Sequence, residues 1–124
     1  MKQNVVGWFE IPVTDMDRAK AFYEKLLDIK ITVHDFGGVV MGWFPSSGQA
    51  YGATGSLMKH EAYIPSDQGS LVYFSSEDVQ IELNRAVNAG GTILQKKTLI
   101  SEEHGFMALL KDSEGNRIAL HSLK

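Results

Sequence analysis

Three residues that could bind or transform a ligand lie in two short segments: Glu10 in "GWFEIPV", and Arg117 and His121 in "NRIALHS". A carboxylate can serve as a base or as a hydrogen-bond acceptor, and an imidazole can exchange a proton or bind a metal. A guanidinium binds anions. Both segments have the alternating pattern of β-strands, in which residues two apart project to the same face. Chemistry that uses all three residues therefore requires a fold that brings these two strands to one space.

The first of these segments is followed by a helix pattern, "VTDMDRAKAFYEKLL". Thr14 is a good N-cap residue, and we expect Asp17 to complete a pair that resembles a capping box. The helix has one apolar stripe at helical spacing, which contains Ala19, Phe22, Tyr23, Leu26 and Leu27. Strand-like runs separated by Gly and Ser residues come after it, which predicts the order strand–helix–strand–strand–strand.

The same order recurs about sixty residues further along the chain. The second helix lies within "EDVQIELNRAVNAGG", where Gly90 and Gly91 are expected to end it. Its predicted apolar side contains Val79, Leu83, Ala86 and Val87. The repeat predicts an α+β fold in one domain over residues 1–124, with two tandem βαβββ modules. The modules span about residues 1–60 and about residues 70–124, and residues 61–69 are the linker.

Each module then supplies a four-stranded sheet with one helix on one face. Side by side, two such sheets can form a half-closed, eight-stranded, barrel-like trough with the helices outside. Alternation places Phe9, Ile11 and Leu120 under the helices, and we expect Trp43 to be a core residue. The residues predicted to face the trough and to bind a ligand are Trp8, Glu10, Tyr73, Met107, Arg117 and His121.

The chain resembles the vicinal oxygen chelate superfamily, which includes glyoxalase I, bleomycin and fosfomycin resistance proteins and extradiol dioxygenases. The resemblance lies in "VTDMDRAKAFYEKLL" and "KDSEGNRIAL", and the repeat order covers essentially the whole chain. Together with "GWFEIPV" and "VYFSSEDV", these segments are similar to a glyoxalase-related subgroup of small bacterial proteins. These motifs specify a fold and do not specify a reaction.

The resemblance also indicates where a metal would be bound. The family uses His, Glu or Gln on the first strand of each half and Glu on the last strand. The matching residues here are Trp8, Leu71 and Ala119, and the fourth position falls around residues 55–57. Side chains of Trp, Leu and Ala cannot coordinate a divalent cation. We therefore expect no metal site and no cofactor.

Three functions are compatible with these residues. The first is metal-independent binding or sequestration of a small molecule in the trough. The second is an enzyme of lyase, isomerase or dioxygenase type, with a metal relocated to Glu10 and His121 and with His60 or His104 as a further ligand. The third is an interaction module whose trough is filled by its own side chains. Glu10 itself has two interpretations, as an ion-pair partner of Arg117 or as a carboxylate that faces a ligand.

Composition excludes several other classes of function. The chain has 12 Lys and Arg against 15 Asp and Glu, and no basic cluster, so nucleic acid and anionic membranes are not expected partners. It has no cysteine, hence no disulfide and no thiol nucleophile, which fits a cytoplasmic protein. The N-terminal segment has neither a signal-peptide nor a membrane-span pattern.

We also expect a homodimer, for two reasons. A half-closed trough leaves strand edges exposed, and exposed edges are normally covered, charged or paired. The resemblance points the same way, because single-domain members of the superfamily commonly work as two-fold dimers. Apolar residues around the hairpins of the first half add to the surface that needs cover, among them Phe44, Tyr51 and Tyr63.

Overall fold

The computed structural model describes residues 3–124, so Met1 and Lys2 of the predicted first module lie outside the described residues. The predicted double βαβββ order is confirmed. The elements of the first module are β1 (Phe9–Pro12), α1 (Met16–Leu27), β2 (Thr32–Asp35), β3 (Val40–Trp43) and β4 (Gly55–Lys59). Those of the second are β5 (Val72–Ser75), α2 (Val79–Ala89), β6 (Thr92–Ser101), β7 (Gly105–Lys111) and β8 (Arg117–Ser122).

The strands form two four-stranded sheets with equivalent orders, β1-β4-β3-β2 and β5-β8-β7-β6. In each sheet the first and last strands of the module are parallel neighbours, and the other pairs are antiparallel. The sheets do not close into a barrel. They form the curled trough that the repeat predicts, and we call its concave surface the trough face. No helix in residues 3–124 is long and apolar enough to cross a membrane.

The start of α1 corrects the predicted N-cap. Asp15, and not Thr14, is the N-cap residue, and its side chain accepts a hydrogen bond from the backbone N–H of Arg18 at 3.0 Å. The backbone N–H of Thr14 donates instead to Glu114 of the second module. The apolar stripe of α1 is buried as predicted, with Leu27 partly buried.

The apolar side of α2 differs at one position from the prediction. Val87 is 66% exposed, and Glu82 is buried with its carboxylate bonded to the hydroxyl of Ser76. At 100° per residue, Val87 lies further than Glu82 from the centre of the face that Val79 and Ala86 define. Gly90 ends the helix as predicted, because its φ of 109° is a left-handed conformation that glycine adopts without strain.

A cluster of aromatic residues joins the two modules on the helix side. Phe9 and Phe74 pack edge to face with ring centroids 5.9 Å apart, and Tyr23 packs against Phe44 at 5.5 Å. Edge-to-face aromatic pairs are favourable beyond the area they bury. This shared core holds the two sheets in a defined relation, so residues from both modules can line one surface.

The turn at residues 112–116, between β7 and β8, contacts the first module through polar groups. The hydroxyl of Tyr23 donates to Asp112 at 2.5 Å, and Arg18 donates to Glu114 at 2.6 Å. Burial, and next the Asp112 charge, raise the pKa of Tyr23 well above its usual value. The "DSEGN" motif thus has a defined structural role as a clamp between the modules.

A candidate ligand-binding trough

The strand register shows which residues share the trough face in the first module. Glu10 lies opposite Ser56, and Ser56 lies opposite Trp43, so these three side chains project to the same face. Trp43 is 39% exposed, and the prediction that it belongs to the core is wrong. Its neighbours Gly42 and Phe44 face the helix instead, where Phe44 is buried.

The two tryptophans of the chain form a pair on this face. Trp8 is 43% exposed and contacts Trp43 edge to face, with ring centroids 6.1 Å apart. Trp8 directly precedes β1, which begins at Phe9. His34 is partly buried against Trp43, with ring centroids 4.3 Å apart. The first module therefore presents an aromatic surface in the trough.

In the second module, neighbouring strands place Tyr73, Ala119 and Leu109 in one row across the trough face. Ser75, His121 and Met107 form the next row. Tyr73 is 51% exposed, whereas Ala119 is fully buried. These positions agree with the faces that alternation predicts; that the residues bind a ligand remains a prediction.

His121 is oriented by the loop between β6 and β7. Its Nε2 atom lies 2.6 Å from the carbonyl oxygen of His104. A carbonyl oxygen only accepts, so Nε2 donates the proton in this hydrogen bond. The ring lines a cavity of about 420 Å³ together with Tyr51 and Tyr73.

Glu10 and Arg117 line a different cavity, of about 230 Å³, which lies against the linker. Within residues 3–124, no ion pair joins them at 4.0 Å or less, so the ion-pair interpretation of Glu10 is not realised. Glu10 is exposed, and Nε of Arg117 is buried without a hydrogen-bond partner among the described residues. The structure thus lines one cavity with two side chains of opposite charge that do not pair with each other.

Two features of the site had escaped sequence reasoning. Ser56 is fully buried between Glu10 and Trp43, and its hydroxyl has no partner among the described residues. The only signal for it was a small polar residue in an otherwise apolar strand. The second feature is a cavity of about 510 Å³ at the start of the linker, lined by residues that include Asp35, Lys59 and Tyr63.

The residues at the family's metal positions do not fit a metal. Trp8, Leu71 and Ala119 carry no donor atoms that bind a divalent cation. At the fourth position, a Cβ on Gly55 would lie 2.2 Å from the carbonyl oxygen of Phe9. Glu10 and His121 line separate cavities, and residues 3–124 contain no group of three His, Asp or Glu side chains that could hold an ion.

Comparison with known proteins agrees with this geometry. The family model of the Glyoxalase/Bleomycin resistance protein/Dioxygenase superfamily matches residues 5–120. The chain belongs to this superfamily. Among curated protein sequences, none matches this superfamily member significantly.

Solved structures similar to this superfamily member share its fold at low sequence identity. A glyoxalase/bleomycin resistance protein from Albidiferax ferrireducens T118 aligns with TM-score 0.73 and 17% identity, over 96% of this chain and 98% of the other. TnmS3, an antibiotic binding protein from Streptomyces sp. CB03234, aligns with TM-score 0.66 and 22% identity, over 98% of each chain.

The chain spans slightly less than half of some of its structural relatives. Glyoxalase I from Zea mays aligns with TM-score 0.71 and 18% identity, over 94% of this chain and 45% of the maize chain. At such identities the similarity shows the fold alone, and the function must be argued from the residues of the trough.

Proposed function

We propose that this superfamily member binds a small organic molecule in its trough, without a metal. The observation that carries the proposal is the Trp8–Trp43 pair, whose rings are about two-fifths exposed on the concave face. Aromatic side chains that line a concave surface provide large, rigid areas for contact with a ligand.

The other residues of the trough face fit the same function. Ligand sites combine an apolar lining with a few polar groups that orient the bound molecule. Tyr73 and Met107 extend the apolar lining, whereas Glu10, Arg117 and His121 supply the polar groups. The similarity to TnmS3, an antibiotic binding protein, supports this class of function.

The two tryptophans make the proposal directly testable, because the chain contains no others. We expect aromatic small molecules to change the intrinsic tryptophan fluorescence saturably. Trp8→Ala and Trp43→Ala should each weaken binding about tenfold, which corresponds to about 1.4 kcal/mol of binding free energy. Calorimetry on each single-Trp variant measures the affinity independently of the signal.

A matched control is Val87→Ala, an exposed apolar residue on the outer helix. It should bind as the wild type does, and dialysis against a chelator should not change the affinity. Equal affinity of the wild type and both Trp variants would contradict binding in the trough. Loss of binding after chelation would contradict a metal-independent site.

We further propose that two chains form a homodimer. The support is the apolar surface on exposed parts of the chain, which includes Val5 before β1 and Leu94, Leu99 and Ile100 on β6. β6 is also a sheet edge, and unpaired edges are commonly covered by another chain. Light scattering at micromolar concentration should give about twice the 13.7 kDa chain mass; a single-chain mass unchanged on concentration would contradict the dimer.

A further inference from the structure

The cavity that contains Glu10 and Arg117 has a different chemistry from the aromatic part of the trough. It lies where β1 of the first module meets β5 and β8 of the second, and the linker bounds it. Six of its eleven lining residues are polar, namely Glu10, Ser66, Gln68, Ser70, Asn116 and Arg117. Its volume of about 230 Å³ suits the head group of a ligand whose remainder extends along the trough.

Arg117 lines this cavity and makes no ion pair within residues 3–124. Its Nε is buried and has no acceptor within residues 3–124. Arg18 shows the contrast, since its guanidinium donates twice to Glu114, at 2.6 and 3.0 Å. Buried N–H groups are almost always hydrogen-bonded, because leaving one without an acceptor is unfavourable. A ligand carboxylate in the cavity would compensate the guanidinium charge of Arg117, which no carboxylate among the described residues pairs with.

Asn116, the residue before Arg117, already uses its side-chain oxygen in another hydrogen bond. The side-chain oxygen of Asn116 accepts from the backbone N–H of Ser66 at 3.0 Å. Its side-chain nitrogen donates to the carbonyl oxygen of Pro12 at 2.7 Å and to Asp112 at 3.0 Å. Asn116 thus attaches the linker to the wall of the cavity and is engaged in that role.

Glu10 sets the charge that a ligand must carry. It is exposed in the same cavity, and it makes no ion pair among the described residues. A dianionic group such as phosphate would be repelled by this carboxylate. A group with one negative and one positive charge matches the single charges of Arg117 and Glu10. The planar guanidinium is suited to a carboxylate, which it can bind with two parallel hydrogen bonds.

We propose that this cavity binds the zwitterionic head group of an amino acid or of a closely related compound. The ligand carboxylate bonds to Arg117, and the ligand ammonium group faces Glu10. This assignment rests on the proposed function and specifies the ligand class of the same trough. The aromatic surface formed by Trp8 and Trp43 then favours an apolar or aromatic side chain on the ligand.

Phenylalanine and two blocked derivatives test each half of the head group. Phenylalanine should bind in calorimetry, and its amide and its N-acetyl derivative should each bind at least about tenfold more weakly. The Arg117→Met variant should bind phenylalanine more weakly than the wild type does, and no more tightly than it binds the amide. The Glu10→Gln variant should likewise bind phenylalanine no more tightly than N-acetylphenylalanine. Wild-type protein that does not bind phenylalanine, or that binds all three compounds equally, would overturn the proposal.

Thermal stability separates a binding role of Arg117 from a structural one. Arg117→Met should leave the melting temperature within about 2 °C of the wild type, while Arg18→Met should lower it by several degrees. An equal drop in both variants would overturn the proposal, because Arg117 would then stabilise the fold. Aromatic compounds could still change the fluorescence of Trp8 and Trp43 while phenylalanine does not bind. In that case the head-group assignment fails and the proposed function stands.

Discussion

The third and fourth strands of each module are joined by very different connections in the two modules. In the first module the loop at residues 44–54 joins β3 to β4, and in the second the turn at residues 112–116 joins β7 to β8. The loop makes local hydrogen bonds, such as that from Thr54 to the carbonyl oxygen of Pro45 at 2.8 Å. The turn makes hydrogen bonds to the other module, through Asp112 and Glu114.

This difference shows that equivalent connections in two copies of one unit can take different roles. One can stabilise the fold while the other contacts a ligand. The polar groups of the turn are buried and satisfied, so they hold the modules together. The loop is largely exposed, and it lines a cavity with Tyr73 and His121. Exposed loops tolerate change and commonly carry binding residues on a stable scaffold. We therefore expect substitutions in the turn to affect stability, and substitutions in the loop to affect binding.

The largest expected effect is that of Asp112→Ala, which should lower the free energy of unfolding by about 3 kcal/mol. The change removes the acceptor of the fully buried Tyr23 hydroxyl and of the backbone N–H groups of Glu114 and Asn116. Urea denaturation measures the loss. Tyr23→Phe is the matched control and should lose less, about 1 kcal/mol, since it leaves fewer groups unpaired. A loss below 1 kcal/mol for Asp112→Ala would show that the turn is not the clamp.

Glu114→Gln should have a smaller effect, of about 1–2 kcal/mol at pH 7. Burial alone would raise the pKa of Glu114, but hydrogen bonds from Arg18 and from the backbone of Asp15 and Thr14 outweigh it and lower the pKa. A carboxylate whose pKa is lower in the folded state stabilises the fold above its unfolded value of about 4.3.

The lowered pKa of Glu114 determines how the effect of this variant depends on pH. The stability contributed by Glu114 is complete above about pH 4.3 and is lost as the pH falls through the lower folded-state pKa. The wild type and Glu114→Gln should therefore converge in stability below about pH 4. Melting curves between pH 7 and about pH 3 measure the difference. A difference that does not change with pH would contradict a contribution from the ionised carboxylate.

The smallest effect on stability is expected in the loop. Tyr51 is 90% exposed, so Tyr51→Ala should change the free energy of unfolding by less than about 0.5 kcal/mol. Because Tyr51 lines the cavity with Tyr73 and His121, the same variant should weaken ligand binding measurably in the fluorescence titration. A stability loss above about 1 kcal/mol would show that the loop also supports the fold, and the contrast between the modules would fail.

Much of the fold could be predicted from the sequence, and the errors have a common cause. Alternation correctly placed Ile11 and Leu120 under the helices. Thr14 and Asp15 are both favourable N-cap residues, so the local pattern did not distinguish them, and the hydrogen bond from the Thr14 backbone to Glu114 joins residues far apart in the chain. Trp43 was assigned to the core because aromatic residues that face a trough are ordinarily core, whereas it is 39% exposed on the trough face.

The sequence by itself determined the two βαβββ modules and the faces of their strands. These follow from helix and strand periodicity and from side-chain chemistry, which are local properties. Only the tertiary structure decided that Arg18 pairs with Glu114, while Arg117 lines one cavity with Glu10 and forms no ion pair within residues 3–124. Pairing depends on distances between side chains far apart in the chain, and the packing of the two modules determines those distances.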